Sequence, residues 1–159
     1  MKLFIKVSIA LVFATTFISW LNCNSHNPAA IDLNDPRTFP GEYNLVSLTE
    51  KFGGGFGQLT YIAGERTTVT TRAGSKFVTV TGRLKLTETT YLISFTTKTE
   101  TAFGERTDTT SSTGTYSISG STFTLVSDAN GETRNFSISV DGRRMTLESD
   151  QDKLVFEKQ

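Results

Sequence analysis

The chain of 159 residues holds one histidine and one cysteine. A histidine-based triad or a zinc site needs partners that these counts do not supply. The histidine, His26, also lies in a polar stretch where no fold would place groups around it. A lone cysteine, Cys23, closes no disulfide within the chain, so packing alone must hold the domain. No sign of charge prevails, with 16 Lys and Arg against 16 Asp and Glu. No basic patch gathers, which argues against nucleic acid as a partner. Alanine is scarce and no helical period persists, which argues against an α-helical domain. Paired-carboxylate catalysis needs acids held by a fold. Glu88, Glu105, Asp128 and Asp150 instead fall in turns or on the wet parity, and read as solvated charges. The expectation is a non-enzyme with no catalytic residue, no metal and no cofactor.

What is present begins with Lys2 and Lys6 ahead of a mostly apolar run over 3–21, with no acidic residue before Asp32. That is the layout of a secretory signal peptide. Cys23 stands at its end. This arrangement resembles bacterial lipoprotein signals, whose lipobox ends in a cysteine that is lipidated and becomes the first mature residue. Trp20-Leu21-Asn22 precede Cys23 and are closer to the looser spirochaete-type lipobox. The resemblance implies a signal peptide over 1–22, a lipid anchor at Cys23 and a place in the cell envelope, at the outer membrane. The alternatives are ordinary secretion and an uncleaved anchor. Against them, Pro28-Ala29-Ala30 is no A-x-A cleavage site, and the apolar span is short and holds Trp20.

Without residues 1–22, 137 residues remain (159 − 22), which suits one domain. Their charge is near −2 (14 − 16), since Lys2 and Lys6 are lost. The stretch 24–40 is polar, carries Pro28, Pro36 and Pro40, and reads as a flexible tether. The alternative is that Ile31 and Leu33 pack on the domain as a first turn or plug.

From Gly41 the chain reads as all-β. Threonine, serine, valine, phenylalanine and tyrosine dominate, and they favour strands. Phe136, Ile138 and Val140 alternate with serines, as do Tyr116 and Ile118. Such alternation buries one face and wets the other. Strands are expected near 42–50, 58–63, 66–72, 76–87, 90–101, 105–118, 121–128, 132–140, 143–149 and 153–158. Ser119-Gly120-Ser121, Asn130-Gly131 and Asp141-Gly142 mark tight hairpins, the latter two as type I′ pairs. Eight to ten strands joined by short turns fit an antiparallel up-and-down barrel, whose closure removes sheet edges.

Thr81-Gly82-Arg83-Leu84-Lys85-Leu86, the run Gly114-Thr115-Tyr116-Ser117-Ile118-Ser119-Gly120, and the ending Arg144-Met145-Thr146-Leu147 carry a further pattern. So does Gly41-Glu42-Tyr43, where lipocalins have a glycine, any residue, then tryptophan. Over 41–158 the chain resembles bacterial lipocalin-like domains. The resemblance implies a small calycin-type barrel and names no ligand.

Lys51-Phe52-Gly53-Gly54-Gly55-Phe56-Gly57 has no lysine after its glycines and no following helix, so it is no phosphate cradle. It reads as a lid over a barrel mouth or as a loose hairpin loop. The interior is the remaining candidate site, because about eight strands stand between a filled core and room for one small ligand. Tyr43, Phe52, Phe56, Tyr91, Phe95, Tyr116, Phe123 and Phe136 are the expected ligand contacts, at interior and mouth. Leu45, Val80, Leu84, Ile93, Ile118 and Met145 share the inward parity. The expectation is a monomeric, membrane-anchored lipoprotein that binds a small apolar ligand. The alternative is an envelope or surface protein-interaction module with a filled core.

Overall fold

The structure is a computed structural model that describes residues 30–52, 57–72 and 74–159. Cys23, the signal segment and Phe56 lie outside the described residues. Ten strands follow one another: β1 (Gly41–Lys51), β2 (Gln58–Ile62), β3 (Arg66–Thr71), β4 (Gly74–Leu86), β5 (Thr90–Thr101), β6 (Gly104–Ser119), β7 (Thr122–Ser127), β8 (Thr133–Asp141), β9 (Arg144–Glu148) and β10 (Asp152–Lys158). All pairings are antiparallel, in the order β2-β1-β10-β9-β8-β7-β6-β5-β4-β3. A further pairing of β1 with β4, Gly41 opposite Leu86 through Asn44 opposite Arg83, closes eight of the strands into a ring. The chain is an all-β, up-and-down barrel.

Closure removes edges from the ring but not from the molecule. A bulge between Leu45 and Ser47 turns β1 away from β4. Beyond it, residues 47–51 of β1 pair with β2, and the first half of β4 pairs with β3. The turn between β2 and β3 bridges this fork. Ala63 N–H donates to the Val46 carbonyl at 2.9 Å, and Gly64 N–H to the Val80 carbonyl at 2.8 Å. Both strands of the fork thus find partners for backbone groups that would otherwise be orphaned. Among the described residues, β2 and β3 keep free outer edges, which the expectation of a fully closed sheet did not include.

The short connections follow turn chemistry. Gly120 and Gly142 open two-residue loops with φ of 56° and 59°, and no non-glycine residue has positive φ among the described residues. A glycine first and an ordinary residue second is the II′ pattern. The loop after Asp141 is therefore Gly142-Arg143, not the Asp141-Gly142 pair of the sequence reading. Asn130-Gly131 is corrected too. Only Gly131 has positive φ, at 69°, and its N–H reaches back to the Ser127 carbonyl at 2.9 Å. The extra residues make a longer loop, and β8 starts one residue later than expected.

One end of the barrel, the base, is filled. Tyr43, Leu84, Phe123, Met145 and Phe156 are fully buried there, with Phe39 from before β1. Each such side chain stabilises by roughly 1.5–3 kcal/mol relative to exposure. Residues 31–39, read above as the end of a tether, pack on this end. Ile31 and Phe39 are buried, and Ile31 N–H donates to the Gly142 carbonyl at 2.8 Å. Asp35 caps a 3-10 turn over Pro36–Thr38 by accepting from Arg37 N–H. The Tyr43 hydroxyl donates to the Phe39 carbonyl, and Lys158 Nζ to the Thr38 carbonyl. The packed unit therefore includes residues 31–39, ahead of the first strand. Ile31 and Leu33 thus pack as the plug given above as the alternative to a tether, and Phe39, isolated between Thr38 and Pro40, joins them with no period to announce it.

Candidate functional site

The other end is hollow. A cavity of about 420 Å³ lies within the ring and opens at this mouth. Strand parity builds its walls. Leu48, Ile93, Phe95, Leu125, Phe136 and Leu154 come from five different strands and present apolar surface. Tyr91 and Ser112 meet across β5 and β6, their hydroxyl oxygens 2.9 Å apart. Gly82 leaves room for Phe95, since a Cβ on Gly82 would stand 2.7 Å from that ring. The volume falls in the range of roughly 300–1,000 Å³ that small-molecule sites occupy. A few polar groups around an apolar hollow are also what such sites present.

The mouth is charged. Glu50, Glu132, Arg134 and Asp152 line it. Arg134 Nε donates to Glu132 Oε1 at 2.9 Å, and this contact with the guanidinium holds the Glu132 carboxyl below its usual range. Glu50 and Asp152 sit directly opposite each other across β1 and β10. The Tyr61 hydroxyl reaches Glu50 Oε2 at a long 3.4 Å. Burial first, and then the Glu50 charge, push the Tyr61 phenol up to about 12.

The expected contact residues divide between the two ends. Tyr91, Phe95 and Phe136 line the cavity. Tyr43 and Phe123 do not, because they are consumed in the filled base. Burial raises the Tyr43 phenol well above its ordinary value. Tyr116 stacks on Phe123 with centroids 5.3 Å apart, and its hydroxyl donates to the Thr87 carbonyl at 2.8 Å, so it too belongs to the base. Phe52 is 48% exposed and is not among the residues that line the cavity. Phe56 falls outside the described residues.

Leu48, Glu50, Ser112, Leu125, Arg134, Asp152 and Leu154 were not among the expected contacts. For Glu50 the signal was hidden by the β1 bulge. Tyr43 and Leu45 point inward on odd numbers, and Leu48 and Glu50 on even ones. Asp152 lies just outside the strand expected over 153–158, although it keeps the parity of Leu154 and Phe156. Comparison with family models, curated proteins and solved structures finds no match for the chain.

Proposed function

We propose that this chain is a lipocalin-like envelope lipoprotein that binds a small apolar ligand in its barrel. The observation that carries the reading is the apolar cavity of about 420 Å³ open at one end. A domain that only needed stability would gain by filling it, because each void forfeits contacts and costs free energy. The anchor rests on Lys2, Lys6, the apolar run over 3–21 and the lone Cys23. Stable attachment takes more than one acyl chain on that cysteine. The reading assigns no reaction to the protein.

The test is native mass spectrometry of the full chain taken from its own membrane. A co-purifying small molecule is expected. It should be lost in an Ile93→Trp variant, whose added indole volume occupies the hollow that Ile93 lines. Bare protein in both cases, with no uptake of added octanol, contradicts the reading.

One observation favours protein interaction instead. Phe103 is fully exposed at the tip of the β5–β6 hairpin, and residues 104–111 of β6 are exposed along a length that β7 does not pair. An envelope protein that cross-links to position 103 in cells, and is lost with Phe103→Ser, would establish that second role.

A further inference from the structure

We propose that the ligand of the cavity is a small amphiphile with a cationic, ammonium-type head, held at the mouth between Glu50 and Asp152. This rests on the ligand-binding reading above and specifies the ligand's class.

Like charges directly opposite on neighbouring strands destabilise a sheet. Glu50 and Asp152 are such a pair, both half-buried and both on the cavity wall. The outer face of the same strands is arranged differently. There Lys51 Nζ meets Glu148 Oε1 at 2.7 Å, and Lys153 Nζ stands 3.9 Å from Glu148 Oε2. Among the described residues, no cation lies within 4.0 Å of either Glu50 or Asp152. The one arginine lining the cavity is bonded to Glu132. The mouth thus carries three carboxylates against one guanidinium, a balance of −2 (1 − 3). The Tyr61 hydroxyl gives Glu50 one donor at a long 3.4 Å; a bound cation would balance the charge of both carboxylates.

The cation's chemistry follows from the surroundings. Calcium takes six to eight oxygens and magnesium near-ideal octahedral geometry. Among the described residues, no group of three or more acidic, histidine or cysteine side chains is placed to hold a metal. An ammonium needs only a few acceptors for its three N–H groups. Two carboxylates supply them, and the ammonium's alkyl part would lie against Leu48, Leu154, Ile93 and Phe136 below. A carboxylate-headed ligand such as a fatty acid would add a third negative charge beside the pair.

The test uses the full chain in phosphatidylcholine nanodiscs, with empty discs as the blank. Octylammonium, octanol and octanoate are titrated by calorimetry near neutral pH. Octylammonium is expected to bind at least tenfold tighter than the other two. In a Glu50→Gln/Asp152→Asn variant that preference should vanish while octanol binding is kept. Without ligand, the variant should melt higher than the native chain, because the repulsion is gone. A lower melting temperature would mean that the pair is structural and would overturn the proposal. Equal binding of the three probes, or tighter octanoate, overturns the cationic head and leaves the apolar site standing. Calcium chloride alone binding in a manner abolished by the same variant overturns it in favour of an inorganic ion. If no probe binds, the ligand-binding reading itself fails.

Discussion

At the scale of single residues, two tyrosines show how one chemistry serves two ends of a barrel. Tyr43 is buried in the base, and its hydroxyl satisfies the carbonyl of Phe39. Tyr61 stands beside the mouth, and its hydroxyl points at Glu50. Tyr43→Phe leaves the Phe39 carbonyl without that donor and should cost about 1–3 kcal/mol in urea unfolding. The cost should depend on pH. The folded phenol holds its proton beyond the unfolded value of 10.0 because burial disfavours the charged form. The folded state then binds more protons above that value, so the tyrosine's contribution is complete below it and fades as pH rises through the folded pKa. The gap between native chain and Tyr43→Phe should therefore narrow at strongly alkaline pH.

Glu148 gives the opposite case. The hydrogen bond from Lys51 is the main reason its carboxyl lies below the ordinary 4.5. Its contribution is present above that value and is lost as pH falls through the folded pKa. The pair is partly exposed and screened, so Lys51→Met should cost under about 1 kcal/mol at neutral pH. The difference from the native chain should disappear in acid unfolding experiments.

At the scale of elements, three local features decide where the barrel is filled and where it is hollow. The first is the segment before β1. If Ile31 and Phe39 plug the base, Phe39→Ala should cost about 3–5 kcal/mol, as core truncations of aromatic side chains do. A loose tether would give no measurable change in chemical denaturation. The second is the β1 bulge, which re-aims the strand so that Leu48 and Glu50 face inward after Leu45. The third is Gly82, whose missing side chain lets Phe95 stand back from the hollow. Gly82→Ala should push that ring inward and cost about 1–3 kcal/mol from overpacking. Its sharper signature is a weaker affinity for octanol, read by the same titration as above.

At the scale of the whole molecule, the architecture was legible because each strand alternates and each hairpin carries its own turn residues. Ten strands appear where alternation and glycines place them, with ends shifted by at most two residues. The loop at Asn130-Gly131 was less legible, because neighbouring residues joined a longer turn that only tertiary pairing selects. The site was half legible. Tyr91, Phe95 and Phe136 keep a regular parity within unbroken strands, whereas Glu50 lies beyond a bulge that no residue type announces. Nothing in the sequence separates inward aromatics of the base from those of the cavity. That division depends on the closure of β1 against β4 and on the plug beneath it.

The central claim is that the barrel is filled at its base and open to a small molecule at its mouth. Methyl-resolved NMR of the full chain during a titration with octanol tests it most directly. The account predicts saturable shifts at Leu48, Ile93, Leu125 and Leu154, which line the hollow, with Leu84 and Leu147 in the closed core unmoved. No saturable shift, or shifts confined to the exposed Ile62, Leu92 and Val126, would contradict it.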